Sequence, residues 1–271
     1  MGSPAHPVTG TPIALTVAGS DSGGGAGIQA DLKVFLALGC HGTSALTALT
    51  AQNTQGVTGI HEIPPEFVAA QIDAIADDMG VDAAKTGMLA SAPIVSIVAE
   101  RIRHHQIRLV VDPVFVSKHR VRLLAEEAVT ALKQELFPLA TVVTPNLFEA
   151  AALTGTEVTT MAGMETAART LHDLGPRYVL VKGGHLESDV ATDLLFDGTA
   201  FERIEGPRFD TEDTHGTGCA LSAAITARLA LGDDVLDAVC GAKDFISGAI
   251  DRSLRLGKGF GPVNPGWRLS G

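Results

Sequence analysis

The sequence is best followed outward from one stretch, Asp213-Thr214-His215-Gly216-Thr217-Gly218-Cys219, which leads into the small-residue run Ala220-Leu221-Ser222-Ala223-Ala224-Ile225. Two glycines around a threonine let backbone N–H groups converge on one point, and the helix predicted to follow adds the positive end of its dipole. The pattern therefore predicts an anion site, most simply for a phosphate. On the loop alone, a glycine-rich turn before a packed helix is an equally good interpretation. Cys219 would lie at the helix start, where its thiol pKa should be lowered.

The composition narrows the class of protein. The chain has 271 residues, 45% of them hydrophobic, which is enough for one α/β domain with a large core. A net charge of −11 without a basic run argues against a nucleic-acid partner. We expect no membrane segment and no signal peptide, and therefore a cytoplasmic location. Three widely spaced cysteines indicate neither a disulfide framework nor a zinc site. We expect a disordered tail over residues 1–11 and a single domain over residues 12–271.

Apolar runs alternate with helical patterns along most of the sequence. Strands are predicted over residues 13–18, 41–49, 57–63, 83–86, 109–111, 142–144, 178–181, 193–196 and 201–204. Helices are predicted over residues 26–38, 64–79, 93–105, 126–136, 148–153, 164–174 and 234–256, with another after Cys219. This alternation implies an α/β fold in which helices cover a mainly parallel β-sheet. Ligands of such sheets bind at the C-terminal ends of the strands.

Polar residues at the predicted strand ends are therefore the candidates for chemistry. Lys182 precedes two glycines and could contact a phosphate, although a lysine leaving the strand for solvent is slightly favoured in isolation. Asn146 and Glu149 share one face of a helix start, and their oxygens suit Mg²⁺. The same spacing forms a capping box, which is the more common structure. Asp112, before Pro113, could lie near a metal or phosphate or bond only its own turn.

A second glycine-rich segment lies near the start of the chain. Gly25-Ala26-Gly27-Ile28-Gln29-Ala30 fits the dinucleotide fingerprint G-x-G-x-x-A, but residues 49–52 hold no acid for a ribose. A Rossmann dehydrogenase is therefore disfavoured. Gln52 carries both a donor and an acceptor and could pair with the edge of a heterocycle. Asp31, taken alone, is typical of a solvated helix residue.

Seven segments, considered together, match the pattern of one known family. They are Ala18-Gly19-Ser20-Asp21-Ser22-Gly23-Gly24-Gly25-Ala26-Gly27-Ile28-Gln29-Ala30-Asp31, Thr47-Ala48-Leu49-Thr50-Ala51-Gln52-Asn53-Thr54, Lys85-Thr86-Gly87-Met88-Leu89, Val111-Asp112-Pro113-Val114, Thr144-Pro145-Asn146-Leu147-Phe148-Glu149-Ala150, Val181-Lys182-Gly183-Gly184-His185 and residues 213–221. In order and spacing, from about residue 13 to residue 262, the sequence resembles the hydroxymethylpyrimidine/phosphomethylpyrimidine kinases of thiamine biosynthesis. The resemblance implies a ribokinase-like three-layer α/β/α fold and an ATP-dependent kinase that phosphorylates 4-amino-5-hydroxymethyl-2-methylpyrimidine and then its monophosphate.

The resemblance also implies a role for each candidate residue. The anion hole for the transferring phosphoryl group would be formed by Gly216, Thr217, Gly218 and Cys219. Lys182 would contact the ATP phosphates. Asp112, Asn146 and Thr214 would also belong to the part of the site that binds ATP and its phosphates. Asn146 and Glu149 would position the cofactor Mg²⁺ through water. Gln52 would bind the aminopyrimidine edge in a pocket lined by Gly19, Asp31, Met88 and Val114. The family also implies a homodimer.

Cys219 stands where the sugar kinases of the superfamily carry a catalytic aspartate. As a thiolate it could accept the proton of the first acceptor, which is an alcohol. The second acceptor is a phosphate monoester with a second pKa of about 6, so it is already ionised and needs no base. We therefore expect Cys219 to matter more for the first phosphorylation than for the second.

Three other functions have to be weighed against this one, and one segment departs from the family pattern. A pyridoxal or pyridoxine-type vitamin kinase shares the fold and the glycine loop, but Gln52 within Ala51-Gln52-Asn53-Thr54 favours the pyrimidine. A sugar kinase would carry aspartate in place of Cys219. A non-catalytic binding protein is disfavoured by the intact set of catalytic residues. The departure is His119-Arg120-Val121-Arg122, which replaces a small residue, glycine and aspartate of the family pattern and leaves the behaviour of that loop open.

Overall fold

The structure is a computed structural model that describes residues 10–115, 125–184, 186 and 190–269. Within these ranges the strands are β1 (Ile13–Ala18), β2 (His41–Leu46), β3 (Ala48–Asn53), β4 (Gly56–Glu62), β5 (Ala83–Thr86), β6 (Leu109–Val111), β7 (Ala140–Val143), β8 (Tyr178–Val181), β9 (Val190–Phe196) and β10 (Phe201–Pro207). The α-helices are α1 (Gly27–Ala37), α2 (Pro65–Asp78), α3 (Ala92–His105), α4 (Glu126–Ala131), α5 (Leu147–Thr154), α6 (Met161–His172), α7 (Thr217–Ala230) and α8 (Val235–Asp251).

Eight strands form one central sheet in the order β10-β9-β8-β7-β6-β5-β1-β2. Six neighbouring strands of this sheet run parallel, namely β8, β7, β6, β5, β1 and β2. The other two, β9 and β10, are antiparallel and lie at one edge. The remaining two strands, β3 and β4, pair separately as an antiparallel ribbon. The predicted mainly parallel sheet is confirmed, and the strands predicted over residues 193–196 and 201–204 pair as an antiparallel hairpin.

Helices cover both faces of the sheet because its central strands are apolar on both sides. Leu109 and Val111 of β6 pack into one core with α2 to α6, whereas Val110 points into the other core with α1, α7 and α8. Successive side chains of a strand point to opposite faces, so a continuous apolar run supplies two cores at once. The result is the three-layer α/β/α arrangement that the resemblance implied.

The prediction of one strand over residues 41–49 is wrong. The chain bends at Thr47, whose N–H donates to the Ala18 carbonyl at 3.1 Å and whose carbonyl accepts from the Ile63 N–H at 3.0 Å. The Thr47 hydroxyl also donates to the Met88 carbonyl at 2.6 Å. These partners pull the chain out of the sheet after β2 and start β3 as part of the ribbon.

Two predicted helices also end early. The helix predicted to residue 136 is α-helical only to Ala131 and continues as a π-helical turn over Leu132–Leu136. The helix predicted to residue 256 ends at Asp251, because the chain turns back and Leu254 N–H donates to the Pro262 carbonyl at 2.8 Å. The predicted tail lies outside the described residues except for residues 10 and 11, and so does the atypical segment 119–122.

Candidate active site

The glycine loop before α7 adopts a geometry that only glycine allows. Gly216 has a φ of +81° and caps α7, and a Cβ added there would overlap the carbonyl oxygen of Gly25. Thr217 supports the turn, since its hydroxyl donates to the Thr214 carbonyl at 2.8 Å. The first N–H groups of an α-helix have no partner within the helix. The N–H groups of Gly218 and Cys219 are therefore in the position that binds an anion.

A single carboxylate joins this loop to the earlier glycine segment. Asp21 is buried and accepts backbone hydrogen bonds from Gly23 at 2.8 Å, Gly25 at 3.0 Å and Ala26 at 2.8 Å. The Nε2 atom of His215 lies 3.0 Å from Asp21 Oδ2. Burial raises the pKa of Asp21, but the hydrogen bonds from His215, Ala26 and Gly23 lower it by more, so the net shift is downward. Asp21 thus holds the two glycine loops against each other as a carboxylate.

We expect Asp21→Asn to cost about 2–4 kcal/mol of unfolding free energy at pH 7, because its amide group would face backbone N–H donors. The lowered pKa of Asp21 means that its contribution is complete above the ordinary value of 3.8 and is lost as the pH falls through the folded-state pKa. Urea unfolding at pH 7, 4 and 3 should therefore show the variant approaching wild type in acid. Asp78→Asn, exposed at the end of α2, is the control. An equal deficit at all three pH values would contradict the role of the charge.

The residues predicted to bind phosphate or Mg²⁺ lie close together just after the C-terminal ends of β6, β7 and β8. Lys182 Nζ lies 3.1 Å from Asp112 Oδ1 and 3.9 Å from Glu149 Oε2. A Cβ added at Gly218 would lie 3.4 Å from Lys182 Nζ, which places the lysine against the first turn of α7. Burial lowers the pKa of Lys182, but Asp112 and Glu149 raise it by more, so the lysine keeps its charge. The lysine therefore does not leave the strand for solvent, which was the interpretation favoured in isolation.

Asn146 and Glu149 form the capping box of α5. Asn146 Oδ1 accepts from the Glu149 N–H at 2.9 Å, and Glu149 Oε2 accepts from the Asn146 N–H at 2.7 Å. Burial raises the pKa of Glu149 to about 7, although Lys182 opposes this shift. The capping interpretation is confirmed, and the magnesium role stays a prediction. Within the described ranges, no group of three or more His, Cys, Asp or Glu side chains could hold a metal.

The residues predicted to bind the acceptor lie around the start of the ribbon. The Thr50 hydroxyl donates to the Ser20 carbonyl at 2.7 Å and lies 3.2 Å from Gln52 Oε1, so Gln52 faces the loop after β1. Gly19 N–H donates to the Met88 carbonyl at 3.1 Å, and a Cβ on Gly19 would lie 2.5 Å from Met88 Cε. Val114 is half-buried after β6. The structure thus brings Gly19, Met88 and Gln52 close together beyond the C-terminal ends of β1 and β5, and Val114 follows the end of the neighbouring strand β6.

Comparison with known proteins assigns the family. The sequence model described as phosphomethylpyrimidine kinase matches residues 21–264. This chain belongs to the phosphomethylpyrimidine kinase family. It is 52% identical over 269 residues to a hydroxymethylpyrimidine/phosphomethylpyrimidine kinase of Streptomyces coelicolor, with 99% of each chain covered.

Solved structures extend the comparison to the fold of the phosphomethylpyrimidine kinase family. The ADP complex of Bacillus subtilis pyridoxal kinase has a TM-score of 0.90 and 43% identity, over 96% of this chain and 100% of that one. The phosphomethylpyrimidine kinase of Clostridium difficile has a TM-score of 0.79 and 41% identity, over 89% of this chain and 100% of that one. Both likenesses confirm the ribokinase-like fold.

Two expectations about residues of this family member are corrected by the structure. Asp31 is neither solvated nor on the pocket surface; it is fully buried and bonded by Thr16 and Lys85. The pKa of Cys219 is raised to about 11 rather than lowered. Burial is the main cause, and Asp31 and Asp112 add to it, while Lys85 opposes it. The helix dipole is a weaker influence than the loss of water and two nearby carboxylates.

Several supporting residues of this kinase-family site were missed in the sequence. Asp193 of β9 accepts from the Gly183 N–H at 2.8 Å and from Lys243 Nζ at 2.7 Å, and thereby ties the loop after Lys182 to α8. Lys85 of β5 was also missed; its side chain is fully buried and pairs with Asp31. The available signal was a charged residue within an apolar strand, Lys85 in β5 and Asp193 in β9, because such residues are rarely buried without a partner.

Proposed function

We propose that this chain transfers the γ-phosphoryl group of ATP to 4-amino-5-hydroxymethyl-2-methylpyrimidine and then phosphorylates the monophosphate to the pyrophosphate, as in thiamine biosynthesis. The observation that carries the proposal is the convergence of three groups at the first turn of α7. A Cβ at Gly218 would lie 3.4 Å from Lys182 Nζ and 3.7 Å from Asp112 Oδ2. Helix N–H donors beside a lysine suit a reaction whose main need is to neutralise phosphoryl charge.

In each transfer, an acceptor oxygen attacks the γ-phosphorus while the bond to the β-bridging oxygen breaks and ADP leaves with the electron pair. The N–H groups of Gly218 and Cys219, together with Lys182, stabilise the charge on the moving phosphoryl group. In the first transfer the hydroxyl proton must also leave, and the Cys219 sulfur is the proposed acceptor. In the second transfer the phosphate acceptor is already ionised at neutral pH.

The acceptor is held on the ribbon side of the site in this proposal. Gln52 can offer both amide N–H and carbonyl oxygen to the edge of an aminopyrimidine. Met88 and Val114 supply half-buried apolar surface for the ring, and Gly19 leaves room because any side chain there would displace Met88. Asp31 acts from beneath this pocket and not through contact with the ring.

Mg²⁺ fits the donor set at the strand ends. Glu149 and Asn146 offer oxygens, which this ion prefers, and the ion keeps several waters in sites where phosphates complete its shell. Because the capping box already uses Asn146 Oδ1 and Glu149 Oε2, we propose that both residues hold the ion through water. When bound, Mg²⁺ would neutralise charge on the ATP phosphates. Thr214 is the last residue that we propose for binding the ATP phosphates; its carbonyl accepts the Thr217 hydroxyl hydrogen bond within the glycine loop.

Release of ADP by the purified protein with Mg-ATP tests the proposal. Hydroxymethylpyrimidine, its monophosphate, pyridoxal and ribose are offered in parallel, and turnover is expected on both pyrimidines. Turnover on only the first pyrimidine would restrict the function to one step. Turnover on ribose alone would identify a sugar kinase. Binding of the pyrimidine without ADP release would identify a non-catalytic binding protein.

Pyridoxal phosphorylation is the second candidate function, and one observation favours it. The structure with a TM-score of 0.90 is a pyridoxal kinase, and this chain matches it over 96% of its own length. The acceptor there is also a hydroxymethyl group on a heteroaromatic ring, so the same phosphate machinery would serve. Pyridoxal turnover without pyrimidine turnover would keep the site and change the substrate.

Lys182→Met tests the phosphate side of the site. We expect a loss of about 10²–10³-fold in kcat/KM for ATP with either pyrimidine, because the cation no longer faces the transferring phosphoryl group. Lys182→Arg keeps the charge and should recover part of the rate. Lys133→Met, whose lysine bonds the Leu153 carbonyl away from the site, is the matched control. Unchanged ATP kinetics in the Met variant would remove Lys182 from the mechanism.

We place one kinase domain over residues 12–271, in the cytoplasm, as a homodimer, with ATP and the pyrimidine as its small-molecule partners. Among the helices of the described part of the chain, none combines the length and the apolarity that crossing a bilayer requires. Size-exclusion chromatography with light scattering would test the dimer.

A further inference from the structure

A buried ion pair joins α8 to the edge of the sheet, next to the turn that follows Lys182. Lys243 Nζ of α8 lies 2.7 Å from Asp193 Oδ2 of β9, and both residues are buried. The stem of Lys243 passes against Gly206 of β10, where an added Cβ would lie 2.7 Å from Lys243 Cε. A buried ion pair is weak evidence for stability, because the desolvation of two charges offsets their attraction. The contacts around this pair indicate a second role.

The other oxygen of Asp193 binds the backbone just after Lys182. Asp193 Oδ1 accepts from the Gly183 N–H at 2.8 Å. The described backbone pairing of β8 with β9 ends before this point, at Val181 and Leu194. The carboxylate thus serves as the acceptor for a backbone donor that lies beyond the ladder. A buried N–H without an acceptor is unfavourable, so this hydrogen bond fixes the path of the chain as it leaves β8.

The backbone around Gly183 is held from both sides. A Cβ added at Gly183 would overlap the Thr192 carbonyl oxygen, so the chain lies directly against β9. On the other side, the Lys182 N–H donates to the Pro145 carbonyl at 2.8 Å. Asp193 supplies a charged acceptor to this turn, and hydrogen bonds to charged groups are stronger than those between neutral groups.

The side chain carried by this turn is the lysine that faces the anion loop. Lys182 Nζ lies 3.1 Å from Asp112 Oδ1 and 3.4 Å from a Cβ added at Gly218. Lysine acts on phosphates as a point charge, so its effect depends on where its backbone is placed. Because a rigid peptide unit joins Lys182 to Gly183, a displaced Gly183 would displace the lysine as well.

We propose that Asp193 is a positioning residue for the nucleotide: its carboxylate holds the Gly183 N–H and so places Lys182 against the phosphates. Lys243 keeps that carboxylate in place from α8. This role rests on the proposed function, in which Lys182 binds the phosphates of ATP. Asp193 contacts neither substrate and acts through Gly183 and Lys182. It should therefore affect nucleotide affinity more than the binding of the pyrimidine, whose proposed residues, such as Gln52, lie near the ribbon.

Two double variants separate this hydrogen bond from the buried charges. Both carry Lys243→Met, which as a single change would leave Asp193 buried without its partner charge. Asp193→Asn with Lys243→Met keeps a neutral acceptor for the Gly183 N–H, whereas Asp193→Leu with Lys243→Met removes the acceptor at similar size. We expect Kd for Mg-ADP, measured by isothermal titration calorimetry, to be about tenfold higher in the second variant than in the first. Equal Kd values would overturn the inference.

Asp193→Val with Lys243→Met is a second variant without the acceptor, because a β-branched side chain suits a strand. Its Kd for Mg-ADP should also be about tenfold higher than that of the Asn variant. The calorimetric stoichiometry gives the fraction of folded protein, so misfolding is not mistaken for weak binding. Arg228→Met with Asp233→Asn is the matched control, since it removes another ion pair of 2.7 Å at the far end of α7. It should leave the Kd unchanged.

A purely structural pair would weaken binding of both substrates alike. From the Asn to the Leu double variant, we expect KM for ATP to rise about tenfold, while KM for hydroxymethylpyrimidine changes by less than about threefold. A parallel rise in both KM values would overturn the positioning role.

Binding and turnover together separate this role from the proposed function. Turnover on both pyrimidines with equal Mg-ADP affinity in the Asn and Leu double variants would overturn the role of Asp193 and leave the proposed function standing. Absence of turnover on either pyrimidine, together with the expected order of Kd values, would overturn the proposed function and support the role of Asp193.

Discussion

Gly216→Ala is expected to abolish phosphoryl transfer, with kcat falling by about 10³-fold or more for both phosphorylations, because the anion hole cannot form. Gly216 has a φ of +81°, and an added Cβ would overlap the Gly25 carbonyl oxygen. To relieve this overlap, the first turn of α7 would have to move away from Gly25 and from Lys182. Steady-state ADP release with each pyrimidine measures the effect, and the loss should be similar for the two acceptors.

Gly39→Ala separates backbone strain from the steric contact. Gly39 has a φ of +83°, almost the same as Gly216, but nothing lies within 4 Å of a Cβ added there. We expect it to cost about 1–2 kcal/mol of unfolding free energy, the price of a left-handed alanine, and to leave kcat unchanged. If Gly216→Ala also kept its kcat while losing only that stability, the anion-hole assignment would be wrong.

Cys219→Ala is expected to slow the first phosphorylation by about 10²-fold and the second by less than about threefold, because only the alcohol must lose a proton during transfer. The raised pKa of Cys219, about 11, makes the sulfur a strong proton acceptor that is seldom ionised in the free chain. The first phosphorylation by wild type should therefore speed up from pH 7 to pH 9. The variant should lose that pH dependence.

Cys240→Ala, at an exposed thiol on α8, is the control for the loss of a cysteine. Separate kcat values for hydroxymethylpyrimidine and for its monophosphate are needed, since a coupled assay would hide the difference. Equal losses in the two steps would refute the base and leave Cys219 as a packing residue of the phosphate loop.

The fold was predictable because its signal is local. Apolar runs such as Leu109–Val111 fill two cores at once, and the polar residues that follow them, such as Asp112 and Lys182, therefore meet at one edge of the sheet. The bend at Thr47 could not be predicted from its neighbours, because it depends on Ala18 and Ile63, which are distant in sequence.

The parts of the site that were missed depend on distant partners. Lys85 and Asp31 are 54 residues apart, and neither has an obvious use until the fold brings them together. The pKa of Cys219 was predicted in the wrong direction because the helix terminus is visible in the sequence, whereas burial and the two carboxylates are not. In contrast, the capping box of Asn146 and Glu149 spans three residues and was visible as one of two interpretations.

The contact between Asp21 and His215 has a consequence for the order of events during synthesis. The two residues are 194 positions apart, yet together they hold the glycine-rich loop after β1 against the glycine loop before α7. A ribosome-bound chain that has emerged only as far as β8 can already form the first six sheet strands, but it lacks the glycine loop before α7 that we propose as the anion hole. Nascent chains and fragments that end before α7 lack this loop, so we expect phosphoryl transfer to begin only after α7 has been added.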